Sequence, residues 1–364
     1  MNVPKLRFKE FNDEYVKLKY KDVLKIKSGK DQKQVEDENG KYPILGTGGQ
    51  IGKTNSFLYD KPSVLIGRKG TINKPQYMEL PFWTVDTLFY SRIYEPNIPK
   101  YLFYSFQNVN WKKYDESTGV PSLSSSTIES VECSIPSPNE QLKVAKFLSL
   151  LDKKIELQSK KIEDLKLFKK GLIEFEFSNS NYNEINLKEI LKERKTYSEK
   201  GLEFPHVTLS KDGIYDKTGR YNRDFLVKSD DKKYKITYLN DLCYNPANLK
   251  FGVICLNEYG SAIFSPIYVT FVIKNIANPK YIKYYVTRNN FINAIRKYEQ
   301  GTVYERMAVA PEDFLKFSIK LPNIEIQNKF VAKLSKLDQK IELENLKLSR
   351  YIKLKKGLMQ NMFV

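Results

Sequence analysis

LDKKIEL at residues 151–157 and LDQKIEL at residues 337–343 are nearly the same heptapeptide, set 186 residues apart in a chain of 364. The likeness runs outward from both. Laid over one another at that offset, residues 135–177 and 321–363 align Pro136 with Pro322, Gln141 with Gln327, and KKGL at 169–172 with KKGL at 355–358. In each copy the apolar residues step by four and three. The first stripe is Val144, Leu148, Leu151, Ile155, Ile162, Leu165, Phe168 and Leu172; the second is Phe330, Leu334, Leu337, Ile341, Leu348, Tyr351, Leu354 and Leu358. Such spacing lays one apolar seam along a helix. About 35 residues per copy give helices of roughly 50 Å, with Pro136-Ser137-Pro138 and Leu321-Pro322 as entry signals.

A long helix with one apolar stripe needs a partner, and the other copy lies in the same chain. The order is globule (1–136), helix (137–178), globule (179–320), helix (321–364). The first helix therefore leaves one globule for the other, and a second helix returning along it makes the pair antiparallel, with a globule at each end and a pseudo-twofold axis between. Gln158 and Glu344 interrupt the two stripes at corresponding positions, where this pairing would bring them together. A polar pair there can fix register at some cost in stability; the alternative is two tolerated exposed positions.

The rest of the sequence restricts function. No run approaches about 18 consecutive apolar residues, and MNVPKLRFKEFNDEY lacks the basic-then-apolar order of a secretion signal, so a cytoplasmic protein without a membrane partner is expected. Cys133, Cys243 and Cys255 are odd in number and lack C-x-x-C spacing, which points to buried thiols rather than a disulfide framework or a zinc site. The net charge of +18 suggests a polyanionic partner, since neutralised phosphates release counterions. A Lys-rich codon bias is the alternative source of that charge.

The two globules read as diverged copies. PKYLFYSFQNVNW (99–111) and PKYIKYYVTRNNFINAIR (279–296) each predict a helix opened by proline. Ahead of them stand β-type segments at 62–67 and 80–94 in the first globule, and at 233–239, 251–256 and 262–273 in the second. The intervening loops differ strongly. A shared scaffold with different loops suggests one task performed on two targets. The expected class is α+β: two similar α/β modules separated by two long antiparallel coiled-coil helices.

At this point the chain resembles a family. YPILGTGGQIGKT (42–54), YDKPSVLIGRKGTINK (59–74), PFWTVDTLFY (81–90), IPSPNEQLKVAKFL (135–148) and KKGLMQNMF (355–363) are similar to the DNA specificity subunits of type I restriction-modification systems. The resemblance implies two target-recognition domains, each reading half of an interrupted, asymmetric double-stranded DNA target. It also implies two helices that hold them apart and dock methyltransferase subunits, with restriction subunits joining the full complex. S-adenosylmethionine, ATP and Mg²⁺ would then belong to those partners, and none to this chain. The second globule departs from the pattern, with LCYNPANLKFG (242–252) where the first has LIGRKGTINK (65–74).

Motifs for chemistry fail. GTGGQIGKT (46–54) would need glycine at Thr47 to make a phosphate loop, and NSFLYDKP follows it instead of a helix. Asn245-Pro246-Ala247-Asn248 lacks the aromatic residue of an amino-methyltransferase turn. His206 is the one histidine and reads as structural, while Glu193 before Lys195 mimics half a nuclease site by chance.

Base reading needs Arg or Lys against guanine and Asn or Gln against adenine, with phosphate contacts around them. Only ten of the 61 basic residues are arginine, so loop arginines carry information. Arg68 and Lys69 lie between glycines, with Thr71 and Lys74 as phosphate contacts, and Gln50 and Lys53 lie on the preceding glycine loop. By position, Arg220, Arg223, Asn248, Lys250, Tyr304 and Arg306 play comparable parts in the second globule. Each could instead be a solvated surface group. A rod of about 50 Å fits a bipartite site, because one turn of DNA spans about 34 Å; whole turns inserted between 159 and 164 should then lengthen the unread spacer. A free-standing nucleic-acid-binding regulator with a coiled-coil dimerisation rod is the competing reading.

Overall fold

Ser63–Gly67 is buried at every residue, as expected of a strand with sheet neighbours on both edges. In a computed structural model, which describes residues 2–178, 181–198, 203–216, 233–300 and 307–364, it occupies a four-stranded antiparallel sheet. The order is Leu24–Lys27, Leu88–Ile93, Ser63–Gly67, Gln76–Met78. The helix Pro99–Asn108 covers this sheet with Tyr101, Leu102, Tyr104 and Phe106, none of them solvent-accessible. A second sheet, Gly49–Thr54, Tyr42–Gly46 and Trp83–Thr84, contains one parallel pairing. Val16–Lys19 paired with Glu132–Ile135 completes this half just ahead of the first long helix.

The chain divides into two compact units, Met1–Lys161 with Glu344–Val364, and Ile162–Leu343. The second unit repeats the four-stranded sheet in the same order and sense: Leu191–Glu193, Val269–Ile273, Leu242–Tyr244, Ile254–Leu256. Asn183–Asn186 paired with Ser318–Leu321 repeats the closing ladder. Its other sheet diverges. Tyr197–Ser198, Tyr234–Thr237 and Ala262–Phe264 are all antiparallel, and Val207–Ser210 and Gly213–Asp216 form an added hairpin.

Several expected elements are shorter than the sequence pattern. The segment 262–273 is two strands, Ala262–Phe264 and Val269–Ile273, because Pro266 cannot donate to a ladder. The helix expected over 279–296 is two, Pro279–Val286 and Asn289–Ile295. At the break the Thr287 hydroxyl donates back to the Lys283 carbonyl at 2.8 Å, and Arg288 is extended. The first long helix is Pro138–Ser178 and the second Ile324–Met362, the latter starting after Leu321, which still belongs to a strand.

The helices run antiparallel within each unit. In the first, Gln158 Nε2 donates to the Glu344 carboxylate at 2.7 Å and to its carbonyl at 3.0 Å. In the second, Leu172, Ile173 and Phe177 pack on Phe330, Val331 and Leu334. Of the seam positions, Leu148, Ile162, Leu334, Ile341 and Glu344 are buried, while Leu151, Ile155, Gln158, Leu337 and Leu348 are half-buried. The stripes do not hold along their whole length. Phe168 and Leu354 are 57% and 52% exposed, since an ordinary helix drifts off a strict heptad.

Each helix begins in one unit and ends in the core of the other. Met359, Met362 and Phe363 enter the first core, with Phe363 stacked on Tyr101 at 5.2 Å. Phe177 meets Tyr281 edge-on at 5.0 Å in the second. The helix starts are locked by repeated glutamines. Gln141 accepts the Ile98 N–H at 2.9 Å and donates to the Pro136 carbonyl at 3.0 Å; Gln327 accepts the Asn278 N–H at 2.7 Å and donates to the Pro322 carbonyl at 2.8 Å.

Candidate nucleic-acid interface

In the first unit, the strand Ser63–Gly67 runs directly into Arg68-Lys69-Gly70. Gly67 admits no side chain, because a Cβ there would stand 2.4 Å from the Thr71 carbonyl oxygen, and Gly70 takes φ +84°. The loop turns tightly. Arg68 and Lys69 both donate their backbone N–H to the Thr87 carbonyl, at 2.8 and 3.3 Å. Their side chains are exposed, and neither forms a hydrogen bond or ion pair among the described residues. Ile72 anchors the loop from below at 1% exposure, leaving Thr71 half-exposed and Lys74 exposed. Two exposed cations without a partner among the described residues, on a tightly turned loop, suit a phosphate or a guanine edge.

Gln50 and Lys53 lie on a separate hairpin. GTGGQIGKT is a β-hairpin, Tyr42–Gly46 with Gly49–Thr54, so it has neither the helix nor the amide cradle of a phosphate loop. Gln76 Nε2 fastens the turn by donating to the Gly46 carbonyl at 2.8 Å. Gln50 and Lys53 line a cleft with Glu36, Glu38, Ile51 and Gly52, and its lining does not include Arg68–Lys74.

In the second unit the strand Leu242–Tyr244 runs into the corresponding loop. Asn245 caps a 3₁₀ turn, Pro246–Phe251, its Oδ1 accepting the N–H groups of Ala247 (3.1 Å) and Asn248 (3.3 Å). That cap accounts for the Asn-Pro dipeptide structurally. Asn248 is half-buried, and its carbonyl accepts the Val253 N–H at 3.3 Å; Lys250 is exposed, over the Phe251 ring at 5.3 Å. Arg220, Arg223, Tyr304 and Arg306 lie outside the described residues.

The remaining suspects have structural roles. Glu193 pairs with buried Lys235 at 3.2 Å and with Lys195 at 3.3 Å. His206 meets the Tyr234 ring edge-on at 4.7 Å. Cys133, Cys243 and Cys255 are free and buried, and burial pushes the Cys133 and Cys255 thiols up to about 12, so little thiolate forms near neutrality. Cys243 and Cys255 face each other across adjacent strands.

Sequence reasoning missed one neighbour of the Arg68 loop. Gly70 N–H donates to the Pro121 carbonyl at 2.8 Å, Leu123 N–H donates to the Arg68 carbonyl at 2.9 Å, and Lys69 bridges Ser122. Some fifty residues separate these strands in the chain, so no local pattern signals the contact.

Residues 12–167, which carry the first module and most of the first long helix, match the family described as the type I restriction modification DNA specificity domain. The specificity subunit of the type I restriction enzyme EcoDI from Escherichia coli is 26% identical over 164 residues, 42% of this chain and 36% of that protein. That of MjaIX from Methanocaldococcus jannaschii is 40% identical over 107 residues, 26% of this chain and 25% of that protein. The matched stretches thus span about a third or less of those relatives. The fold agrees along the full length. A crystal structure of a type I restriction-modification system S subunit from M. genitalium superposes with a TM-score of 0.62 at 16% identity, covering 100% of this chain and 99% of that one. A chain from a structure concerned with complex assembly and conformational transition of the type I R-M system gives 0.58 at 11% identity, over 95% and 96%. At these identities the superpositions speak for the fold alone. Residues 12–167 are thus similar to the type I restriction modification DNA specificity domain, and the whole chain shares the fold of the M. genitalium S subunit.

Proposed function

We propose that this chain is a non-catalytic subunit that reads an asymmetric, bipartite double-stranded DNA target, one half through each unit. It would dock methyltransferase subunits and, in the full complex, restriction subunits. The observation that carries this reading is a duplication with a selective divergence: the four-stranded sheet keeps its strand order in both units, while the loops leaving its central strands differ in chemistry. One loop offers Arg68 and Lys69; the other offers Asn248 and Lys250 on a 3₁₀ turn. Different donor sets suit different half-sites.

S-adenosylmethionine, ATP and Mg²⁺ would act on the partner subunits, and their chemistry is theirs. The work of this chain is positioning. The reading as a free-standing regulator that dimerises through its helices loses support from the bonds both helices already make within the chain, Gln158 with Glu344 among them.

The test is to coexpress the chain with a type I methyltransferase subunit from the same host and to map N6-methyladenine across the host genome. An asymmetric, interrupted motif that appears only with this chain is the expected result, and exchanging residues 1–136 should change one half of it. A stable complex with no new methylation would sink the proposal.

A further inference from the structure

The segment Trp111–Ser122 is built as a projecting loop with a closed neck. Asp115 Oδ1 accepts the N–H and hydroxyl of Ser117, at 3.0 and 2.9 Å, and the Ser122 N–H at 2.9 Å; the Glu116 N–H donates to the Ser122 carbonyl at 3.0 Å. These bonds hold the Asp115 carboxyl below its usual range. Glu116 is likewise turned inward, to the hydroxyls of Ser124 and Thr127. Trp111 roots the segment, 1% exposed, its indole N–H on the Phe106 carbonyl at 2.8 Å. The far side of the loop is the one bonded to Arg68 and Gly70.

Three exposed side chains on this loop are available for contact. Lys112 and Lys113 are exposed on the 3₁₀ turn Trp111–Tyr114 and form no ion pair among the described residues. Val120 is 66% exposed. It precedes Pro121, which confines it to extended backbone, so a contact made by its exposed side chain costs little further backbone entropy. An exposed apolar group on the same loop segment as two lysines without an ion pair among the described residues matches the thymine C5-methyl, the one apolar feature of the major-groove code.

We propose that Trp111–Ser122 is a second DNA-reading loop of the first unit, in which Lys112 and Lys113 contact backbone phosphates and Val120 contacts a thymine methyl group. The proposal rests on the reading above, that the Arg68 loop faces DNA. The two loops are joined through their backbones at Arg68–Gly70 and Pro121–Leu123, the cations setting position and Val120 adding sequence information.

The experiment uses the chain in complex with its methyltransferase, on duplexes carrying the mapped target. Each thymine in the half-site that changes on exchange of residues 1–136 is replaced singly by deoxyuridine. At one position the wild type should lose about four-fold in affinity, the worth of burying one methyl group, and Val120→Ser should bind both duplexes equally. The double variant Lys112→Gln, Lys113→Gln should lower the slope of log affinity against log salt by about 1.8, at about 0.9 per phosphate lost, with base preference unchanged. No methyl-sensitive thymine, a methyl effect that survives Val120→Ser, or an unchanged salt slope overturns the proposal. Arg68→Ala separates the two ideas: if it weakens binding while the loop variants do nothing, only this proposal falls, and if it too does nothing, the underlying reading fails. All three side chains are exposed, so thermal melts of the variants should match the wild type.

Discussion

Asp152 of the first heptapeptide receives Lys355 of the distant KKGL at 2.6 Å. Its counterpart in the second heptapeptide, Asp338, receives Lys169 of the first KKGL at 2.5 Å. Tyr104 and Tyr284 complete the two sets by donating to Asp152 (2.7 Å) and Asp338 (3.3 Å). The duplicated motifs thus serve each other: each heptapeptide binds the KKGL of the opposite helix, once per unit. Each heptapeptide supplies the carboxylate of one ion pair, and the KKGL of the opposite helix supplies its lysine.

This reciprocity can be tested by charge exchange. The pairs are partly solvated, so each is worth about 0.5 kcal/mol, and reversing one charge should cost somewhat more. Asp152→Lys should lower the melting temperature, Lys355→Asp added to it should recover most of the loss, and Lys169→Asp should recover none. Equal rescue by both lysine variants would show that the pairs do not act separately.

The glutamine locks make a stronger prediction. Gln141 and Gln327 are 1% and 0% exposed, and each satisfies a backbone N–H at the start of a sheet-covering helix. Gln141→Ala or Gln327→Ala should cost about 1–3 kcal/mol by leaving a buried donor unpaired. Urea unfolding measures the cost. Hydrogen exchange should quicken at Ile98 in the first variant and at Asn278 in the second.

Glu344 supplies a pH dependence. Hydrogen bonds from Gln158 and Lys161, with Lys347 behind them, hold its carboxyl at about 2. The folded value lies below the unfolded one, about 4.3. Its contribution is therefore fully present above about pH 4.3 and is lost as pH falls through 2. Glu344→Gln should flatten the stability profile in that window and leave it unchanged near neutrality apart from a constant offset. Replacing both Gln158 and Glu344 with Leu should keep the helices paired but loosen their register, which cysteine cross-linking along the helices would report.

Arg68→Ala should weaken DNA binding and relax the preference at one base of the first half-site, by about 1–3 kcal/mol. Stability should not change, because the guanidinium makes no bond within the described residues. A binding titration beside a thermal melt separates the effects; a destabilised variant would mean that Arg68 serves the fold.

The fold was legible where chemistry repeats. The 186-residue offset, the four-three stripe and the matched glutamines are local patterns, and they led to two long helices, two related modules and the approach of Gln158 to Glu344. The lengths of strands and helices were less legible, since Pro266 and Thr287 break apolar runs that continue in the sequence on both sides. The local structure of the candidate site was legible only in part. Gly67 and Gly70 marked a tight loop at Arg68, while the equally glycine-rich stretch with Gln50 and Lys53 is a hairpin whose cleft is also lined by Glu36 and Glu38.

What the sequence alone determined is the duplication, because a period in apolar and polar residues survives in the linear order and dictates which helix faces must be buried. What only tertiary structure decided is which side chains are left without partners. Lys169 and Lys355 look like any other lysine until Asp338 and Asp152 meet them, and Val120 looks ordinary until the fold leaves it exposed on the loop bonded to Arg68. Free charge and exposed apolar surface are what remains after every other contact has been made, and those contacts join residues far apart in the chain.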